Sequence, residues 1–92
     1  MKISFDPAKR ARNLAKHGLD LAEAGEVLAG LCESRIDGRF DYGEERWISI
    51  GMLRGSAVLC VWTEVVEDEV RVISLRKATQ NEQEEYFRQI GG

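Results

Sequence analysis

The stretch from Arg46 to Leu75, RWISIGMLRGSAVLCVWTEVVEDEVRVISL, constrains the fold more than any other part of the chain. It contains three runs rich in β-branched and aromatic residues, RWISIGML, SAVLCVWTEV and EVRVISL, which read as strands. The turns between them are short, at Arg54-Gly55 and around Glu67-Asp68, and strands joined so tightly run antiparallel. A two-residue first turn sets Trp47 opposite Trp62 and Ile48 opposite Val61. A two-residue second turn sets Glu64 across from Arg71 as a charged pair. A three-residue turn at either place would flip one strand's faces. Upstream, CESRIDGRF reads as a more polar first strand that breaks at Asp37-Gly38, giving a meander of about four strands.

Two short helices precede the meander. SFDPAKRARNLAKHG opens with Asp6 as N-cap and Pro7 at the first helical position, and Gly18 supplies the stop. At about 100° per residue, Ala8, Ala11, Leu14 and Ala15 share one face, expected to be buried. Lys9, Arg12, Asn13 and Lys16 share the opposite, basic face, expected to point outward. Asp20 caps the second helix with Glu23 in a capping-box pattern; Leu21, Ala24, Val27 and Leu28 form its buried side, and Gly30 ends it. After the strands, Thr79 and Glu82 form another capping box, opening a helix that runs to about Ile90 with a thin apolar content of Tyr86, Phe87 and Ile90. The order predicts an α+β fold: two N-terminal helices, an antiparallel meander and a C-terminal helix, in one domain over residues 1–92.

Composition narrows the functional classes. No apolar run approaches the roughly 20 residues that span a bilayer, and MKISFDPAKR lacks the apolar core of a signal peptide, so the expectation is a cytoplasmic protein with no membrane partner. Cys32 and Cys60 sit far apart with no metal-ligand spacing, Cys60 reads as a buried thiol, and with a single histidine no metal or other cofactor is expected. The net charge of −3 is unevenly spread: residues 1–19 hold Lys2, Lys9, Arg10, Arg12 and Lys16 against Asp6 alone. A basic patch on an acidic protein matters more than the total.

No nucleophile elbow, P-loop or dinucleotide fingerprint occurs, so the candidates are scattered polar residues. Lys16 and His17 close the first helix, where cations gain from the macrodipole; the same pair also offers a phosphate-binding ammonium beside a group able to transfer a proton near neutrality. Arg46 begins a strand and Arg76 ends one. Arginines there are commonly solvated or paired with carboxylates such as Glu44, Glu45 and Glu64, and equally able to clamp a phosphate. Trp47 and Trp62 fit a core or an interface as well as a base-stacking platform.

Three motifs, FDPAKRARNLAKHG, GEERW and RVISLRKAT, followed by a tyrosine in the last helix, resemble the BrnT toxins along nearly the whole chain. The resemblance implies a RelE-like fold and an endoribonuclease of a type II toxin–antitoxin system. It further implies cleavage without a metal, through attack by the RNA 2′-hydroxyl. The implied partner is a BrnA-like ribbon-helix-helix antitoxin that neutralises the toxin, with promoter DNA bound and repressed only through the complex. On the matching motif positions it implies catalytic roles for Lys16, His17, Arg46 and Arg76, with Glu64 and Tyr86 as further candidates, and RNA contacts from Lys9, Arg12 and Lys16. Where the family continues after RKAT with more arginines and lysines, this chain reads QNEQEEYFRQ. That loss of positive charge motivates a second expectation, a catalytically weakened homologue acting as an antitoxin-binding regulatory module. The basic face of the first helix motivates a third, direct contact with DNA.

Overall fold

The computed structural model describes residues 1–39, 41 and 43–91; Phe40 and Tyr42 of the DGRFDYGEERW motif, and Gly92, lie outside the described residues. The elements run β1 (Lys2–Ser4), α1 (Pro7–His17), a 3₁₀ turn (Leu21–Glu23), α2 (Ala24–Ala29), β2 (Glu33–Ile36), β3 (Trp47–Leu53), β4 (Ser56–Val66), β5 (Glu69–Lys77) and α3 (Gln80–Gly91). The strands form one sheet in the order β1-β5-β4-β3-β2. The expected four-stranded meander is present as β2 to β5. The parallel edge strand β1 was not anticipated, because three residues, KIS, carry too little pattern to read.

The first hairpin keeps the expected register, with Trp47 opposite Trp62 and Ile48 opposite Val61. Its two turn residues, Arg54 and Gly55, both have positive φ, the backbone twist that suits a two-residue hairpin. The second hairpin does not. Arg71 lies opposite Thr63, and Glu64 faces Val70, so the expected Glu64–Arg71 pair is absent. The turn is two residues as predicted, but β4 gains an extra residue at Val65 and β5 another at Ile73, so the pairs between these bulges are shifted by one.

Helices cover both faces of the sheet. On one, Leu19, Leu21, Ala24 and Val27 pack against Leu53, Val58, Cys60, Val72 and Leu75. On the other, Tyr86 of α3 packs against Ile48, Ile50, Ala57, Leu59 and Val61, with Ile73 and Ile90 at the margin. Gly51 permits the close approach of α2: a Cβ there would stand 3.0 Å from a Val27 methyl and 3.2 Å from the Cys32 Cβ. Cys60 is fully buried, and desolvation pushes its thiol up to about 12. Among the described residues no helix is long and apolar enough to cross a membrane.

The helix boundaries follow their caps. Asp6 accepts from the Ala8 N–H, and Gly18 (φ 70°) donates to the Leu14 carbonyl. Asp20 accepts from Ala22 N–H, but the turn that it opens is 3₁₀, and the α-helix proper begins only at Ala24. Glu23 therefore closes no capping box; its carboxylate pairs with Arg54. Thr79 and Glu82 cap α3 reciprocally, as predicted.

The rotation of α1 reverses the expected one. Ala8, Ala11 and Ala15 are exposed and Leu14 is 49% exposed, whereas Asn13 is buried. The Asn13 side chain donates to the Leu75 carbonyl (2.8 Å) and the Leu19 carbonyl (2.9 Å), and accepts from the Leu75 N–H (3.1 Å). β1 pairs with β5 only as far as Arg71, and beyond it one side-chain amide takes the place of the missing strand. Three buried hydrogen bonds outweigh a stripe of three alanines and one leucine, so the face bearing Lys9, Asn13 and Lys16 turns toward the sheet edge. Replacing Asn13 with alanine strands the Leu75 peptide groups and the Leu19 carbonyl, and is expected to cost about 2–4 kcal/mol. Urea unfolding measures this; a midpoint equal to wild type would mean that the edge is satisfied without Asn13.

Candidate active site

With α1 so rotated, Lys9, Arg12, Lys16 and His17 line a depression of about 320 Å³ together with Asn13, Ile73 and Ser74. Lys9 and His17 are half-buried, while Arg12 and Lys16 are exposed. Among the described residues, no carboxylate lies within ion-pair distance of Lys9, Arg12 or Lys16. His17 also borders a second depression, with Gly18, Arg54 and Lys77. These four sequence candidates therefore stand together along the open margin of β5.

Arg76 joins this margin from the strand. It pairs across the ladder with Leu59, and Ser74 with Val61, which places both on the α3 face of the sheet. Arg71, opposite Thr63, shares that face. Arg71 and Arg76 are five residues apart, a spacing that puts side chains on opposite faces of a regular strand. The extra residue at Ile73 brings them to the same face, and for that reason regular strand spacing does not mark Arg71 as a neighbour of Arg76.

Each arginine that the strands and the β2–β3 loop bring here has a carboxylate. Arg76 donates to both oxygens of Glu82, at 2.8 and 2.9 Å, and to the Lys77 carbonyl at 3.1 Å. Glu44 bridges Arg71 (3.0 and 3.1 Å) and Arg46 (3.3 Å). Arg39 is held by the buried Asp37 at 2.8 and 2.9 Å, and lies near enough to Arg76 for its charge to oppose Arg76 protonation. Arg10, a basic residue of α1, is diverted from this margin: it pairs with Asp20 at 2.7 Å and sits over the Phe5 ring.

The two remaining candidates lie elsewhere. Glu64 is exposed on the opposite face of the sheet, lining a depression with Trp47 and Trp62. Tyr86 is 1% exposed at the centre of the α3 core, and its hydroxyl donates to the Leu31 carbonyl at 2.7 Å. Burial raises its pKa, in keeping with a neutral structural phenol.

The Arg76–Glu82 pair makes stability depend on pH. Hydrogen bonds from Arg76, opposed by desolvation and aided by the Thr79 N–H, hold Glu82 at about 2, below its ordinary 4.5. The native state thus binds fewer protons than the unfolded chain between these values. The pair's contribution is whole above about 4.5 and is lost as the pH falls toward 2. Glu82→Gln is expected to flatten stability across that window, measured by urea unfolding at a series of pH values. An unchanged acid slope in the variant would show that the pair contributes nothing.

Comparison with known proteins supplies the context for this margin. The sequence model described as "Ribonuclease toxin, BrnT, of type II toxin-antitoxin system" matches residues 5–82. Among solved structures, the crystal structure of the Brucella abortus ribonuclease toxin BrnT is similar, with a TM-score of 0.65 and 31% sequence identity over 87% of this chain and 99% of that one. No curated protein sequence matches the chain. The matched segment contains β5, all of α1 and the carboxylates that hold the site arginines, so the chain belongs to the BrnT family of ribonuclease toxins of type II toxin–antitoxin systems.

Proposed function

We propose that the chain is an endoribonuclease that cleaves RNA without a metal, by attack of the 2′-hydroxyl on the adjacent phosphorus. The observation that carries this reading is the depression that the unpaired cations of α1 line with Ser74, with Arg76 two residues further along β5 on the same face of the strand as Ser74. In such a reaction the 2′-oxygen loses its proton and bonds to phosphorus, a phosphorane forms, and the 5′-oxygen departs with a proton. The protein supplies proton transfer and cations where charge builds up.

In this reading Lys9, Arg12 and Lys16 draw in the backbone, and Lys16 and Arg76 bear on the scissile phosphate. Arg46 and Arg71 extend the cationic track. His17 transfers a proton or orients the RNA. The charge of the phosphorane falls to arginine and lysine. Glu64 and Tyr86 have no part in it, the one for its distance in the fold and the other for its committed hydroxyl. The partner is a BrnA-like antitoxin that neutralises the toxin in the cytoplasm, and the complex represses its promoter.

A second reading draws on the Arg76–Glu82 pair. A phosphate must displace a bidentate carboxylate to reach Arg76, and α3 adds Glu84 and Glu85 to Glu82. Both features favour a weakened homologue whose task is to bind its antitoxin.

Purified chain incubated with RNA distinguishes the two. The nuclease reading expects cleavage that persists in a chelator, fails on a substrate with a 2′-deoxy sugar at the scissile position, and drops about 10²–10³-fold in Arg76→Ala. Lys16→Ala is expected to lose about tenfold, largely through weaker binding. Cleavage abolished by chelation, or undiminished on the deoxy substrate, defeats the proposed chemistry. A folded wild-type chain that leaves RNA intact and growth unaffected favours the regulatory module.

A further inference from the structure

On the face of the sheet opposite the cationic margin, Ile36, Trp47 and Trp62 stand in one cross-strand row over β2, β3 and β4. Ile36 is 54% exposed and both indoles are half-buried. The two rings stack with centroids 5.8 Å apart and planes 15° from parallel. Their arrangement is fixed from beneath: the Trp62 indole N–H donates to the Ser49 hydroxyl (2.8 Å), which is fully buried and hydrogen-bonds the Ser34 hydroxyl at 2.6 Å. A platform held this way loses little freedom when something lands on it.

Its surroundings select what can land. A depression of about 360 Å³ is lined by Trp47, Trp62, Thr63, Glu44, Glu45 and Glu64. Glu45 and Glu64 are exposed and form no ion pair among the described residues. Beside the row, β2 is the outermost strand. The Asp37 N–H donates inward to the Arg46 carbonyl, so strand alternation turns the peptide groups of Ser34 and Ile36 outward, where no other strand among the described residues pairs with them.

We infer that this face docks an extended, cationic segment of a partner protein, which adds a strand to the β2 edge and seats a lysine or arginine on the indole pair between Glu45 and Glu64. Stacked indoles attract a cation through their ring faces, and the two carboxylates add charge complementarity. A second copy of this chain would bring the same carboxylates together, like against like. RNA phosphates would meet the same repulsion. The inference does not rest on the proposed cleavage: Lys9, Arg12, Lys16 and Arg76 line no part of this depression, and Arg46 and Arg71 border it only through Glu44, which holds them both.

Trp47 and Trp62 are the chain's only tryptophans, so its intrinsic fluorescence reports on this platform directly. The full chain is titrated with an end-blocked peptide alternating lysine and valine, and separately with its glutamate–valine counterpart. The expected result is a saturable emission change with the lysine peptide alone, and slowed amide exchange at Ser34 and Ile36. Affinity should fall about tenfold in the Glu45→Gln/Glu64→Gln double variant. No saturable response to the lysine peptide, equal binding of the glutamate peptide, or an unaffected double variant overturns the inference. So does a response to oligouridylate in place of the lysine peptide, which would make the platform an RNA-stacking surface. A dimer of the free chain that Ile36→Glu dissolves would assign the face to a second copy.

Discussion

The side-chain amide of Asn13 is the contact on which the cationic margin depends. A three-residue edge strand cannot cover the nine residues of β5, and the uncovered Leu75 peptide needs a donor and an acceptor together. An asparagine offers both at the right separation, and its second amide hydrogen holds the Leu19 carbonyl just beyond the Gly18 break. One residue thus fixes the lateral position of α1, its rotation and the path of the chain that leaves it. Lys9, Lys16 and His17 lie one helical turn to either side of Asn13, and they face the sheet edge because it does. The exposure of Ala8, Ala11, Leu14 and Ala15 is the other half of the same rotation.

The second determinant is the pair of bulges in the β4–β5 hairpin. Each displaces the register by one residue, and together they cancel, so the strand ends meet as if nothing had been inserted. Between them the faces are exchanged. Without the extra residue at Ile73, Arg71 would share a face with Val58 and Cys60 rather than with Arg76, Ser74 and Thr63. A local departure from regular pairing thereby gathers cations that the sequence spaces for opposite sides.

Most of the scaffold was legible from sequence because it is governed by short-range rules. Capping residues marked α1 and α3, two-residue turns marked both hairpins, and β-branched alternation marked β3 to β5. What was not legible depends on partners distant in sequence. Asn13 and Leu75 are 62 residues apart, and nothing in the helical periodicity of α1 announces that a polar residue is the buried one. The bulges leave no signature in composition, so the sequence pairs Arg71 with Glu64 and gives no sign that it shares a face with Arg76. Lys9, Arg12, Lys16, His17 and Arg76 are all candidates in the sequence, but the gathering of the first four beside Ser74 is a property of the rotated helix. Tyr86 was expected either to anchor α3 or to serve the site, and only its burial and its bond to the Leu31 carbonyl separate the two roles.

An acidic chain that meets a polyanion must limit its own repulsion, and the charge here is arranged in two tiers. Among the described residues Lys9, Arg12 and Lys16 of α1 carry no carboxylate partner, whereas Arg46, Arg71 and Arg76 are each held by one. Approach along α1 is attractive from a distance, while engagement of the arginines requires exchange of one anion for another. At Arg76 that exchange reaches further than one ion pair. Glu82 accepts from the Thr79 N–H with one of the two oxygens that hold Arg76, so the carboxylate that occupies the arginine also completes the cap of α3. In the proposed reaction, a phosphate on Arg76 would free Glu82 to turn wholly to its capping role or to leave it. The acidic start of α3 therefore ties Arg76 to the N-terminal cap of the helix that covers the rest of that face.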